Sequence, residues 1–521
     1  MQSVETILTL LGLTTLLAFL AQKAKVPYPI FLVIGGMGVA FVPGLPSVSL
    51  DPQLVFLFFL PPILYAAGYF TSWRDFRANI VSISLLAVGL VVATTLAVAA
   101  VVVALVPGVP WPAALVLGAI VSPPDAVAAT AIAQRVRLPR QIATVLEGES
   151  LVNDATGLVL LKFASAAIVT GHLAVLPGIA EFCIMVVGGV AVGLALGWLF
   201  AQAQRTLDDT ILATTASILV SFFTYIVAEH LHVSGVLATV TAGVVQGRYV
   251  PRILSSKTRI ESTAVWQTFI FLLNALVFVL IGLQLPMVLK TLDWPWPVVV
   301  DGIFATFGTM VVVRLLWMFP GAYGPRYLFP KYRATHPYPP WQAVVIVGWA
   351  GMRGVVSLAA ALSLPLVLAD GRPFPARSLL IFITFAVILG TLVFQGLTLA
   401  PLVRWLRVEE DRSGEKEERH ARLALAEAAL EHLDGAMDAQ NLQAHQVHGV
   451  RQEYVQRVRA LKGLEGDGPA HAPLELSREL RRTSVEAQRR QLLKLRDEEV
   501  IGDDVLHRLQ HELDLEDVRM R

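Results

Sequence analysis

The chain has 521 residues, 55% of them hydrophobic, a formal net charge of +1 and a mean hydropathy of +0.63. This hydrophobic content exceeds that of a typical soluble domain, and the one cysteine, Cys183, excludes an internal disulfide and a multi-cysteine metal site. Long apolar runs are confined to residues 1–406, whereas residues 407–521 are rich in charged side chains, so we predict a membrane domain followed by a polar tail.

Thirteen apolar segments have about the 17–25 residues that a helix needs to cross a bilayer, although the second and ninth are short. The first segment lacks a basic leader and a small-residue cleavage site, so we interpret it as a retained span. The predicted spans cover approximately residues 4–21, 30–43, 54–70, 80–106, 111–134, 142–170, 176–201, 210–229, 233–246, 263–289, 296–319, 341–369 and 376–405.

The basic residues between the spans indicate the orientation in the membrane. Loops after odd-numbered spans hold 15 Lys and Arg residues, whereas loops after even-numbered spans hold only Lys290, Arg372 and Arg377. Because cytoplasmic loops are enriched in Lys and Arg, we expect the odd-numbered loops and the tail to be cytoplasmic. The N-terminus of this cell-membrane protein would then lie outside, which an odd number of spans also requires.

The fifth predicted span is interrupted by VSPPDAVAAT. Pro123 and Pro124 have no backbone N–H, so the helix must break or unwind there, and Asp125 follows directly. The twelfth span contains GWAGMRGVVSLAAALSLP, in which three glycines surround Arg353. The interruptions lie seven spans apart and therefore run in opposite directions, as in an inverted repeat of spans 1–6 against spans 8–13. Interruptions at matching positions in two halves indicate a transport site.

The sixth predicted span contains VLEGESLVNDATGLVLL, which places carboxylates in an otherwise apolar helix. Ser150 and Asp154 are four residues apart on one helix face, and Glu149 and Asn153 form the neighbouring pair. Carboxylates, hydroxyls and freed carbonyls are the ligands that a hard cation such as Na⁺ prefers. Burial and a second nearby carboxylate both favour a protonated acid, so such a site can exchange a cation for a proton.

Arg353 requires a partner at this depth, because an unpaired charge inside a membrane is costly. We expect Glu149 to be that partner, with Glu147 as the second candidate, and the pair to fix the crossing of spans 6 and 12. Glu147 is also interpreted as a solvated residue near the cytoplasmic end of its span. Arg314 in span 11 is a further intramembrane cation, either structural or paired with a carboxylate.

Three motifs in this order, SPPDAVA, GESLVNDATG and GMRGVVSLA, resemble those of the monovalent cation:proton antiporters, in particular the sodium/proton exchangers with an Asn-Asp pair. The resemblance covers residues 1–406. It implies an all-α polytopic membrane protein of about 13 transmembrane helices, built from two inverted repeats with two broken crossing helices. It also implies a dimer domain, a moving core domain and an elevator-like movement within a homodimer.

The resemblance further implies roles for individual residues. Asp154 would carry the proton or the cation, and Asp125 and Ser150 would help to coordinate the transported metal ion, with a backbone carbonyl near Pro124. Asn153 stands where electrogenic relatives have a first Asp, which implies electroneutral exchange of one cation for one proton. The Glu149–Arg353 ion pair is also implied by the resemblance.

We therefore predict a secondary active antiporter that exchanges Na⁺ for H⁺, serves pH homeostasis and needs no cofactor or nucleic-acid partner. Transport of K⁺ is the first alternative, because the ligand set does not fix the size of the cavity. A passive cation channel is the second, although a carbonyl filter or a charged ring is more typical of channels. A membrane enzyme is disfavoured, since no nucleophile–base set or metal-ligand spacing is present.

Residues 407–521 form the second predicted domain. Leu and Ala recur at helical spacing from about residue 421 to 434, and QEYVQRVRALKGL and residues 484–516 show the same pattern, with a linker at 463–473. No nucleotide-binding glycine loop or metal motif is present. We expect a solvated, helical cytoplasmic tail.

Overall fold

The computed structural model divides the chain into two compact units, a membrane unit, Met1–Glu410, and a tail unit, Asp411–Arg521. The structure describes residues 2–42, 50–125, 127, 130, 139–171, 175–207, 209–335, 338–368, 371–408, 413–440 and 444–463, with 488, 490, 491, 494 and 509 as isolated positions. Apart from one bridge between Val367 and Pro373, all regular elements in these ranges are helical.

The membrane unit is a bundle of helices of very different lengths. Three of them contain a π-helical turn, at Val55–Phe59, Leu85–Leu90 and Thr391–Gln395. The helices are α1 Gln2–Ala24, α2 Tyr28–Val39, α3 Pro52–Phe70, α4 Trp73–Ala78, α5 Ile80–Leu105, α6 Trp111–Val121, α7 Arg140–Thr170, α8 Val175–Gln204, α9 Thr210–His230, α10 Gly235–Ile253, α11 Ser256–Leu283, α12 Leu285–Thr291, α13 Trp296–Leu328, α14 Pro330–Thr335, α15 Trp341–Trp349, α16 Val355–Leu362 and α17 Arg377–Trp405.

Eight of the described helices are long and apolar enough to cross a membrane, namely α3, α5, α7, α8, α9, α11 with α12, α13 and α17. Shorter apolar helices occur at Leu8–Ala24, Tyr28–Val39 and Trp111–Val121. A helix satisfies its own backbone hydrogen bonds, which is why apolar runs of this length adopt it in lipid. The all-helical class is therefore confirmed, while the count of thirteen spans stays a prediction.

Local sequence signals set many of the helix ends. The Asp209 side chain accepts a hydrogen bond from the Leu212 N–H at 2.8 Å, and Ser234 accepts one from Leu237 at 3.2 Å. Such caps satisfy N–H groups that the first helical turn leaves unpaired. C-terminal signals act in the same way. Helix α7 ends at Gly171, whose backbone takes a left-handed conformation with φ of 77°.

Small residues bring the helices of the bundle into close contact. A side chain at Gly36 would collide with the backbone of Val279, and one at Gly282 would collide with that of Val33, so α2 and α11 approach each other backbone to backbone. Close approach through small residues is a common way for helices to associate in membranes.

Both predicted interruptions are visible in the described residues. Helix α6 ends at Val121, and Ser122–Asp125 that follow are not helical. Residues 126, 128, 129 and 131–134 of the predicted fifth span lie outside the described residues. In the twelfth predicted span, α15 ends at Trp349 and α16 begins at Val355, with an irregular segment between them.

The tail unit contains two described helices, α18 Ser413–Gln440 and α19 Ala444–Gly463, which pack against each other. Arg451 Nε donates to Asp434 Oδ1 at 2.8 Å, and this hydrogen bond lowers the pKa of the Asp434 carboxyl. Both side chains are solvent-exposed, so the pair adds little to stability. The predicted linker from residue 464 onward and most of the predicted helix at 484–516 lie outside the described residues.

Candidate ion-binding site

The end of α6 is shaped by its prolines. Pro123 and Pro124 have no N–H to donate to the Ala119 and Ile120 carbonyls, so the helix ends. Because Asp125 N–H donates elsewhere, to the Met352 carbonyl, the carbonyl of Val121 also loses its intrahelical donor. The Ser122 hydroxyl donates back to the Gly118 carbonyl at 2.5 Å and lies 3.0 Å from the Thr95 hydroxyl. The interruption therefore leaves backbone carbonyls that other parts of the molecule must satisfy.

Arg353 supplies donors to these carbonyls. Its Nε donates to the Val121 carbonyl at 2.7 Å and its Nη2 to the Ser122 carbonyl at 3.1 Å, while Nη1 donates to the Gly351 carbonyl. Its own backbone N–H donates to the Thr391 hydroxyl at 3.1 Å. The Arg353 guanidinium, which belongs to the second interruption, thus satisfies backbone carbonyls of the first.

The expected Glu149–Arg353 ion pair is not the one that the structure forms. Glu149 instead binds Arg314 through two parallel hydrogen bonds, Nη1 to Oε1 at 2.6 Å and Nη2 to Oε2 at 2.8 Å. The Arg314 Nη2 also donates to the Val347 carbonyl at 3.2 Å. Glu149 and Arg314 are each only 1% exposed. A bidentate pair satisfies both buried charges, which leaves Arg353 available for the carbonyls at the end of α6.

A glycine makes room for this pair. A side chain at Gly351 would collide with Arg314, so the small residue in the second interruption admits the Arg314 side chain from α13. Glu147, the second candidate partner, is exposed on α7.

The two interruptions meet at Asp125. Its backbone N–H donates to the Met352 carbonyl at 2.7 Å, and its Oδ1 accepts from the Val127 N–H at 2.8 Å. The other carboxylate oxygen, Oδ2, lies directly against Gly354. The carboxylate is therefore held where the two broken helices come together.

Helix α7 brings its polar residues to the same junction. The Asn153 side-chain N–H donates to the Pro124 carbonyl at 2.7 Å, whereas its buried Oδ1 has no partner among the described residues. Ser150 lies one turn earlier and is partly buried. The Pro124 carbonyl, expected as a cation ligand, thus already accepts one hydrogen bond and retains one lone pair.

Asp154 lies one residue beyond Asn153 and is 9% exposed. It lines a cavity of about 10 Å³ with Pro123 of the first interruption and Ser357 of α16. This volume is close to that of one water-sized sphere. Among the described residues, no group donates a hydrogen bond to the Asp154 carboxylate. The other residues that line the cavity are Ala119, Ile120, Gly157, Leu158, Leu161, Val356 and Ala360.

The structure therefore brings Asp125, Asn153 and Asp154 to one junction with Pro124, and it pairs Glu149 with Arg314 in place of Arg353. It adds Ser357, which sequence reasoning did not select. Ser357 is buried, and its hydroxyl has no partner among the described residues. A hydroxyl in the apolar stretch just after the second interruption was the available signal.

Comparison with known proteins gives consistent matches. The family described as sodium/hydrogen exchanger, transmembrane, matches residues 7–405. An uncharacterised Na⁺/H⁺ exchanger of Mycobacterium tuberculosis is 33% identical over 510 residues, which cover 96% of this chain and 93% of the relative. The sodium, potassium, lithium and rubidium/H⁺ antiporter of Bacillus pumilus is 32% identical over 531 residues, covering 97% of this chain and 77% of that protein.

A solved structure shares the fold. The sodium proton antiporter MjNhaP1 from Methanocaldococcus jannaschii superimposes with a TM-score of 0.62 and 20% sequence identity. The match covers 78% of this chain and 100% of that chain. The similarity confirms the predicted fold class.

Proposed function

Since the chain belongs to the sodium/hydrogen exchanger family, we propose that it is a secondary active antiporter in which Asp154 exchanges a monovalent cation for a proton. One observation carries the assignment of Asp154. It is a buried carboxylate without a hydrogen-bond donor among the described residues, and it faces a small cavity between two broken helices. An intramembrane acid left without a partner is costly unless a proton or a cation neutralises it.

The two loaded states follow from the chemistry of this carboxylate. A proton makes Asp154 neutral, which burial favours. A cation bound to Asp154 neutralises it equally, and we propose Asp125, Ser150 and the remaining lone pair of the Pro124 carbonyl as further oxygen ligands. Both ions compete for one negative charge, so either can occupy the site and the two cannot occupy it together.

The stoichiometry follows from the neighbour of Asp154. Asn153 is neutral, and its amide is committed to the Pro124 carbonyl. Only one acid of the pair titrates, so one cation exchanges for one proton and no net charge moves. We propose electroneutral exchange on this basis.

The remaining buried charges hold the frame of the site. Glu149 with Arg314 joins α7 to α13, and Arg353 joins the two interruptions. The charges of these groups are already paired or hydrogen-bonded within the protein, so they stabilise the crossing of the broken helices and do not bind the ion. The site then moves between the two sides as part of a rigid body.

We place this protein in the cell membrane, with the N-terminus outside and the tail unit in the cytoplasm. Cytoplasmic loops are enriched in Lys and Arg, and the basic loops here are those after the odd-numbered predicted spans. A homodimer is expected from the family resemblance. Na⁺ is the proposed substrate, and K⁺ is the alternative, since one relative is named for transport of sodium, potassium, lithium and rubidium.

The test is proton flux into proteoliposomes that contain a pH dye, on addition of Na⁺, K⁺ or Li⁺. Wild type, Asp154→Asn and Glu181→Gln are compared, the last being an exposed acid on α8 that serves as a matched control. We expect cation-triggered flux in wild type and Glu181→Gln, and none in Asp154→Asn.

The same flux is measured with the membrane potential clamped. Independence from the potential supports electroneutral exchange, whereas flux that follows the potential indicates a channel or an unequal stoichiometry. Undiminished flux in Asp154→Asn would remove Asp154 as the exchange site.

A further inference from the structure

A cavity of about 340 Å³ lies apart from the ion site, between α5, α7, α13, α15 and the residues after α17. Pockets that bind small molecules in proteins are typically about 300–1,000 Å³. The proposed exchange cycle makes no use of this space.

The lining of the cavity changes from apolar to polar along its length. Most lining residues from within the helices are apolar, among them Leu86, Ile142, Val145, Met318, Val344 and Val347. Residues from the helix ends are polar, with Asn79 before α5, Gln141 at the start of α7 and Gln342 at the start of α15. An occupant with an apolar body and a polar end fits this arrangement.

The polar end of the cavity is cationic. Arg326 lies in the last turn of α13 and is 8% exposed, and Arg407 follows α17. No acidic side chain lines the cavity in the part of the chain that the structure describes. Arg326 Nη1 already donates to the Ala322 carbonyl, and its guanidinium lies over the Tyr332 ring, so Arg326 contributes positive charge to this end of the cavity. Arg407 is the side chain that would bind a phosphate or carboxylate with parallel hydrogen bonds.

Exposed aromatic residues surround the same end. Trp341 is adjacent to Gln342, Tyr327 to Arg326, and Trp405 lies two residues before Arg407. All three aromatic side chains are exposed. Trp and Tyr are enriched where a membrane protein crosses the headgroup region, so the cavity opens at the level of lipid headgroups.

We propose that this cavity binds an anionic phospholipid from the cytoplasmic leaflet, with its headgroup at Arg326 and Arg407 and its upper acyl chain along the apolar wall. The leaflet follows from the proposed orientation, which places the ends of α13 and α17 in the cytoplasm. Basic pockets between transmembrane helices on that side are suited to anionic headgroups.

The bound lipid would stabilise the packing of the helices that hold the ion site. Val347, which lines the cavity, accepts the hydrogen bond from Arg314 at 3.2 Å. Val145 lies one turn before Glu149, and Met318 lies one turn after Arg314. An acyl chain here packs against the helices that the Glu149–Arg314 pair joins.

The test is thermal unfolding of the full chain in detergent, titrated with dioctanoyl phosphatidylglycerol, dioctanoyl phosphatidylcholine or glycerol 3-phosphate. The variants are Arg407→Gln, Ala343→Phe, which fills the cavity, and Arg404→Gln, a nearby arginine that does not line it. We expect phosphatidylglycerol alone to raise the melting temperature saturably. Its apparent Kd should weaken at least about tenfold in Arg407→Gln, the loss of one charge-assisted contact, and stay unchanged in Arg404→Gln.

Several outcomes would overturn the proposal. Equal effects of phosphatidylcholine would exclude recognition of an anionic headgroup, and an equal effect of glycerol 3-phosphate would assign the site to a soluble anion. Equal weakening in Arg404→Gln and Arg407→Gln would indicate surface charge only. If Ala343→Phe folds and binds phosphatidylglycerol as wild type does, the cavity is not the site; if it does not fold, the two arginine variants decide.

Discussion

Arg353 and Asp154 are both buried charged residues at the meeting point of two broken helices, but their surroundings differ. Arg353 is surrounded by carbonyl acceptors, whereas Asp154 has no donor among the described residues. A buried charge that the protein satisfies stabilises structure, and one that it leaves unsatisfied is reserved for an ion. Hydrogen bonding is thus the property on which we assign Arg353 to the structure and propose Asp154 for the ion.

Replacing Gly354 with alanine should impair transport while the protein still folds. The new methyl group would collide with the Asp125 carboxylate and displace it from the junction. Gly308→Ala is the matched control, because a methyl group there meets nothing within 4 Å. We expect cation-triggered flux to fall strongly in Gly354→Ala and to persist in Gly308→Ala, at similar yields of folded protein. Normal flux in Gly354→Ala would mean that Asp125 is not held at the site as described.

Ser357 should contribute to cation affinity. Its hydroxyl, which has no partner in the described part of the chain, lines the Asp154 cavity, and the loss of one hydrogen-bonding contact weakens binding by about 2- to 10-fold. Ser357→Ala should therefore raise the KM for the cation within this range and change the maximal rate less. Ser363→Ala is the control, since that hydroxyl donates to the Ala360 carbonyl on an exposed part of the chain. An unchanged KM in Ser357→Ala would remove this residue from the site.

At the level of helices, the Glu149–Arg314 pair connects α7 and α13 across the bundle. Removal of one member of a buried pair leaves an uncompensated charge and typically costs about 3–5 kcal/mol. Arg353 acts between two interruptions instead, and its bonds are to backbone carbonyls. The two arginines therefore support different contacts within one frame.

A double-mutant cycle distinguishes these contacts. Glu149→Gln and Arg314→Met should each destabilise the protein, and the double variant should lose less than the sum of the two, because the second change removes the charge stranded by the first. The cycle of Glu149→Gln with Arg353→Met should show a much smaller coupling. The unfolding free energies of all variants in detergent give both coupling free energies. A larger coupling to Arg353 would restore the pair that the sequence predicted.

At the scale of the whole molecule, the two interruptions come from distant parts of the chain and meet through one backbone hydrogen bond, from Asp125 to Met352. The basic loops predict an orientation for the bundle in the membrane. The tail unit forms separate helices with exposed ion pairs.

Labelling of single cysteines tests the orientation. In a Cys183→Ser background, a membrane-impermeant maleimide applied to intact cells should modify His232→Cys, after α9, and spare Thr206→Cys, after α8. The two loops should lie on opposite sides, since one helix separates them. Permeabilised cells provide the control, in which both should react. The reverse pattern would invert the topology and with it the leaflet of the proposed lipid site.

The sequence by itself determined the apolar helices, the two interruptions and the acids that occupy them, because each is a property of a short segment. Composition sets hydropathy, proline removes donors, and helical spacing aligns Ser150 with Asp154. Only the tertiary structure decided which charges pair. Glu149 and Arg314 are 165 residues apart in the chain, and their contact depends on how α7 and α13 pack and on the space left at Gly351. Arg314 and Arg353 both lay inside predicted spans as possible partners of Glu149, and packing, not spacing, selected between them.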